Sequence, residues 1–200
     1  MKIARVFPAK TSMSPTDPLA FFGPPTLEAI AAEPEAVHIS VTFSWDIPKA
    51  DDHFRAVMEM LRRQKRPAVF SGGLEPEYMT PWKAEQLMGI KPKRMYTAYD
   101  TMDDYEHLQA MSGMLMNAGY SRKSHGVHCY FLCGYREDSF EAAEGRAEQI
   151  MGLGFLPFAM LYRDEAGRRD PEWMKFQREW ANAYIVGRKF ADFWAGRCET

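Results

Sequence analysis

From Val37 to Tyr162 the chain alternates strand-like and helix-like segments, and this alternation limits its possible folds more than any other feature. Residues 37–44 (VHISVTFS) carry apolar side chains at odd positions and polar ones at even positions, the period-two pattern of a half-buried strand. Residues 51–64 follow with Phe54, Val57, Met58 and Leu61 at helical spacing, and Asp51 or Asp52 is placed to cap that helix. The alternation continues with a strand over 67–71, a helix over 78–88 entered near Thr80-Pro81, and a strand over 94–99. The next helix carries Tyr105, Leu108, Met111 and Leu115 and closes at Gly119. A strand over 127–133 ends at Gly134. Its helix is expected to start at Asp138 as a capping box with Glu141, to bury Phe140, Ala143, Ala147 and Ile150, and to close at Gly152. A last strand spans 155–162.

Strands separated by helices at this spacing pair in parallel through right-handed crossovers. The expected fold is therefore α/β. It is a partial (β/α) barrel of about five to six parallel strands with outer helices, since these units are too few for an eight-fold barrel. A doubly wound sheet is the alternative. No G-x-G-x-x-G follows the first strand, which argues against a dinucleotide fold. Residues 1–36 hold six prolines, from Pro8 to Pro34, and read as an extended N-terminal arm in which residues 2–7 can form an edge strand and 27–32 a helical turn. The barrel occupies 37–170. Residues 171–200 form an amphipathic C-terminal helix, opened by Pro171, whose Trp173, Phe176, Trp180 and Tyr184 dock onto it, with Phe190 and Trp194 extending the stripe.

Composition excludes several classes. A net charge of −2 provides no basic footprint for nucleic acid. There is no apolar run long enough to span a bilayer, and no secretory leader pattern is visible. Three cysteines fit a reducing compartment better than a disulfide framework, so a cytoplasmic location is expected.

In either parallel architecture, ligands bind beyond the carboxyl ends of the strands. Those ends are Ser44-Trp45, Gly72-Gly73-Leu74-Glu75, Asp100-Thr101, Gly134-Tyr135 and Tyr162-Arg163. The paired glycines let backbone N–H groups approach a ligand, and they equally suit a plain strand-to-helix turn. Glu75 and Asp100 fall on neighbouring strand ends, where two carboxylates can bind an amine and a ribose or act as acid and base. Asp100 can equally cap the following helix. Cys129 and Cys133 lie four apart on one strand, roughly 13 Å from each other, too far to share a metal ion or a disulfide. They read as small core residues. The charged loop after the last strand, Arg163 to Asp170, reads as solvated, with Arg163 near enough to the strand end to meet an anion.

These strand ends together resemble the radical S-adenosylmethionine (SAM) superfamily. Residues 70–76 (FSGGLEP) are similar to that family's Gly-Gly-Glu stretch, with Leu74 inserted before the acid. The resemblance implies that Gly72, Gly73 and Glu75 hold the amino group of SAM. It implies that Asp100 meets the ribose, that Gly134 marks the turn after the fifth strand, and that the strand ending at Tyr162 lines the adenine. The family's [4Fe–4S] cluster is held by three thiolates of a C-x-x-x-C-x-x-C loop. No such motif stands before Cys129, and Cys129/Cys133 have another spacing on another strand. The expectation is a shortened, cluster-less relative without assigned metal ligands. Three functions stay open: SAM binding, with redox chemistry lost or supplied elsewhere; a non-redox α/β enzyme using Glu75 and Asp100; and a non-catalytic remnant that binds a protein partner through its arm or its aromatic C-terminal helix.

Overall fold

The computed structural model describes residues 3–7, 16–22, 36–39, 47–63, 65, 67–163 and 170–197. Four parallel strands in the order β4-β5-β6-β7 form its central sheet: β4 (Val69–Leu74), β5 (Arg94–Ala98), β6 (Val127–Cys133) and β7 (Leu156–Leu161). A second parallel sheet of three strands has the order β2-β1-β3, from β1 (Ile3–Phe7), β2 (Ala20–Phe22) and β3 (Ala36–Ile39). β3 lies beside β4. The expected edge strand at residues 2–7 is thus a middle strand. The expected turn at 27–32 and the end of the expected strand at 40–44 lie outside the described residues.

Helices connect the strands as the alternation requires: α1 (Ile47–Arg63) leads to β4, α2 (Pro81–Gly89) to β5, α3 (Tyr105–Asn117) to β6 and α4 (Phe140–Gly152) to β7. α1 starts four residues earlier than the sequence suggests, so Asp51 and Asp52 lie inside it. Pro48 explains the early start, because proline in a first turn has a preset φ and loses no hydrogen bond there. α2 starts at Pro81, three residues later than the expected 78, because Thr80 caps it, its hydroxyl accepting the Lys83 N–H at 3.2 Å.

Register sorts the sheet into two faces. Met95, Thr97, Val127, Cys129, Phe131, Cys133 and Ala159 are buried beneath the helices with Leu108, Met111, Leu115, Ala147 and Ile150. A wholly buried side chain such as Phe131 contributes about 1.5–3 kcal/mol over its exposed state. The other face carries a half-buried aromatic row. Tyr96 stacks on Tyr130 with ring centroids 5.1 Å apart, and Tyr130 meets Phe158 edge-on at 5.4 Å. His128, beside Tyr96, has its imidazole pushed down to about 4, first by burial and then by Arg94 and His125.

The C-terminal segment is two helices, α5 (Pro171–Trp180) and α6 (Ala183–Ala195), where one was expected. Asn182 makes the break: its side chain accepts the N–H groups of Tyr184 and Ile185 and so begins a new helix. Of the expected stripe, Phe176 and Trp180 are buried and Trp173 is partly so, whereas Tyr184, beyond the break, is 74% exposed and does not dock. Trp173 lies 4.3 Å from Phe140 of α4, and Trp180 packs on Phe131 of β6. Farther along, α6 is held by Arg122 over the Trp194 ring at 4.0 Å and by His125 edge-on to Phe190.

Candidate functional site at the carboxyl ends of β5 and β6

The Gly-Gly stretch is part of β4 and not a turn after it. Phe70 pairs with Met95 and Leu74 with Thr97, so four steps along β4 match two along β5. Ser71-Gly72-Gly73 therefore forms a bulge, with Gly73 at φ +79° and open space where a Cβ would stand. The Thr97 hydroxyl, donating to the Leu74 carbonyl at 2.8 Å, restores the ladder beyond it. The bulge delivers Glu75 to the edge of the sheet, where it is exposed and makes no capping hydrogen bond.

Asp100 follows β5 directly. The capping role it might have taken belongs to its neighbours: Asp104 accepts the Thr101 N–H at 2.8 Å and the Thr101 hydroxyl at 3.0 Å. Asp100 is left to face a cavity of about 440 Å³ that it lines with Leu132, Tyr135, Arg136, Glu137, Asp138 and Arg146. Burial raises its carboxyl above the usual range and Asp104 adds to this, while a hydrogen bond from the Leu132 backbone and the Arg146 charge work against it. Glu75 is raised as well, first by burial and then by Asp104, Glu77 and Asp100, with His107 opposing. The two carboxyls thus share one acidic neighbourhood.

The opposite wall is built by the β6–α4 turn. Asp138 was expected to cap α4, but Ser139 does so, its hydroxyl accepting the Ala142 N–H at 3.1 Å. The Asp138 carboxylate turns inward instead. Its Oδ2 accepts the Gly134 N–H at 2.9 Å and Arg146 Nη2 at 2.8 Å, and the same nitrogen donates to the Leu132 carbonyl at 3.0 Å. α4 ends at Gly152, as expected, with Leu153 as its C-cap, and the left-handed glycine that follows is Gly154. Gly134, at φ +73°, is hemmed in: a Cβ there would stand 3.0 Å from the Trp173 ring. Tyr135, on the cavity wall, meets Tyr162 edge-on at 4.7 Å, and Arg136 lies 4.9 Å above the Tyr135 ring. Tyr162 is fixed by its N–H, which donates to the Cys133 carbonyl at 2.9 Å.

The six residues singled out from the sequence therefore separate. Asp100 lines the cavity. Gly134 begins the turn that walls it, and Tyr162 packs against the lining residue Tyr135 without lining the cavity itself. Gly72, Gly73 and Glu75 stand one strand away and are not among its lining residues. Sequence reasoning missed Arg136, Glu137 and above all Arg146. One signal for Arg146 was present: it lies three residues after Ala143 and four before Ile150, a charge on a buried helical stripe.

The described cysteines do not fit an iron–sulfur cluster. Cys129 and Cys133 are wholly buried on the helix-covered face of β6. Burial lifts the Cys133 thiol to about 12 and Cys129 well above its ordinary value, which disfavours the thiolates a cluster needs. Cys198 lies outside the described residues. Among the described residues no three His, Cys, Asp or Glu side chains are grouped to hold a metal ion, and no helix is long and apolar enough to cross a membrane. Neither protein-family models nor curated proteins nor solved structures match the chain.

Proposed function

We infer that the chain binds a small polar molecule of the S-adenosylmethionine class at the carboxyl edge of its parallel sheet, read as part of an incomplete β/α barrel in a cytoplasmic protein. The observation that carries this reading is Asp100, released from capping by Asp104 and set in the wall of a cavity at the end of β5. The cavity's volume of about 440 Å³ falls within the range of ligand pockets. A carboxylate there suits an ammonium, a sulfonium or a ribose diol, and Tyr135 on the cavity wall, packed on Tyr162, offers a flat face to a purine. No redox step is assigned to the chain, since its described thiols are buried and protonated. Isothermal titration with SAM tests the reading: a saturable heat with the native protein, weakened in Asp100→Asn, is expected. Absence of binding to the folded protein at millimolar SAM would overturn it.

A second reading, acid–base catalysis by Glu75 and Asp100, is favoured by one observation: both carboxyls are raised, first by burial and then by Asp104, and Asp100 adds to the shift of Glu75. This reading requires a turnover lost in Glu75→Gln while ligand binding persists.

A further inference from the structure

The cavity wall carries charges of both signs whose pairing is incomplete. Asp138 and Arg146 are joined to each other, whereas Asp100 and Arg136 form no ion pair among the described residues. Asp100 and Arg146 line the same cavity without a salt bridge between them, although the field of the guanidinium reaches the carboxylate. Arg146 engages its partners through one nitrogen, Nη2, shared between Asp138 and the Leu132 carbonyl. A guanidinium carries five N–H donors, so donors remain beyond those this nitrogen supplies. Arg136 projects from the same turn with φ +50° and is exposed, with the Tyr135 ring beneath it. An acidic group thus stands on the β5 side; on the β6–α4 side Arg136 and Arg146 line the cavity together with Glu137 and with Asp138, whose charge Arg146 already answers.

We propose that this cavity is a subsite for a zwitterion, the α-ammonium and α-carboxylate of an amino acid. Asp100 takes the ammonium, and Arg136, with the free donors of Arg146, takes the carboxylate. A ligand with both charges bridges the two walls and satisfies each with a charge-assisted hydrogen bond. A monoanion would leave Asp100 facing like charge, and a simple amine would leave Arg136 unanswered. The Asp138 carboxylate does not bind in this scheme; it fixes the plane of the Arg146 guanidinium. The proposal rests on reading this edge as the ligand site. It places the amino-acid end of a SAM-like ligand against β5 and β6, away from Gly72, Gly73 and Glu75.

Three ligands separate the possibilities by titration calorimetry: SAM, L-methionine as its amino-acid end, and 5′-methylthioadenosine as its nucleoside end. The variants are Arg136→Gln and Asp100→Asn, both at exposed positions, with folding checked by circular dichroism. The expected result is that SAM and L-methionine bind in competition, and that each variant weakens both by about tenfold or more, the effect of one charge-assisted hydrogen bond. Methylthioadenosine is then indifferent to Arg136→Gln. Equal affinity for SAM and methylthioadenosine, both insensitive to Arg136→Gln, would overturn the zwitterion subsite while leaving SAM binding intact. Binding of L-methionine without SAM, weakened by both variants, would uphold the subsite and remove the SAM reading. Failure of all three ligands to bind would overturn both.

Discussion

Arg146 and Asp138, eight residues apart, are joined at 2.8 Å beneath the cavity, with only 14% and 8% of their side chains exposed. Removing one partner leaves the other charged and largely out of water, which costs more than the pair itself contributes. Asp138→Ala is expected to destabilise the protein by about 3–5 kcal/mol in urea unfolding. A loss below about 1 kcal/mol would show that the guanidinium finds another partner.

Gly73 and Gly134 have nearly the same backbone conformation, at φ +79° and +73°, in different surroundings. Gly73→Ala meets open space and bears only the left-handed cost, about 1–2 kcal/mol. Gly134→Ala bears that cost and also pushes against Trp173, so it is expected to lose more, about 2–4 kcal/mol by thermal or urea unfolding. Equal losses at the two sites would place the constraint in the backbone alone.

The imidazole of His128 titrates near 4 because burial and the positive Arg94 disfavour its charged form. Its ordinary value is 6.5, so between pH 6.5 and about 4 the unfolded chain binds the proton and the folded chain does not. The stability it contributes is present above pH 6.5 and is lost as pH falls through that window. Proton NMR of the His128 ring is the direct check. A midpoint at the ordinary value would mean that water reaches the Tyr96–Tyr130 face.

Asp100 is shifted the other way. Its raised carboxyl takes up a proton at a pH where an ordinary aspartate stays charged. Affinity for a cationic ligand should therefore begin to fall at a higher pH than an ordinary aspartate would dictate, and that dependence should be absent in Asp100→Asn. Binding that is flat with pH in the native protein would exclude Asp100 from direct contact.

Asn182→Ala removes the acceptor for two N–H groups at the start of α6 and is expected to cost about 1 kcal/mol. Because α6 also holds Arg122 and His125, the loss should appear in hydrogen exchange around residues 122–127 as well as in α6 itself.

Period and punctuation made β5, β6, β7, α3 and α4 legible, because their apolar positions recur at spacings that only one element type satisfies. The carboxyl edge, and Asp100 on it, followed from parallel pairing alone. What could not be read is decided by three-dimensional competition. Thr101, boxed with Asp104, takes the cap open to Asp100, and Ser139 takes the cap open to Asp138, although the residue types on offer suit the role equally. The bulge in β4 depends on register with β5, which no local pattern encodes. Arg146 was hidden for the same reason: its partners are the carbonyl of Leu132 and the carboxylate of Asp138, neither within one helical turn of it.

One guanidinium fastens strand β6, the turn after it and helix α4 through the Leu132 carbonyl and the Asp138 carboxylate. Between those anchors lie Tyr135, Arg136 and Glu137, which are exposed and face the cavity. Under the proposed ligand reading, scaffold and specificity are thereby separated along a short stretch of chain. Substitutions at these three positions can drift through many side chains, each altering what the cavity accepts, while Gly134, Asp138 and Arg146 hold the frame unchanged. Lineages descending from such a chain would diversify in ligand choice before they diverged in architecture, and a library randomised at 135–137 would retrace that history in the laboratory.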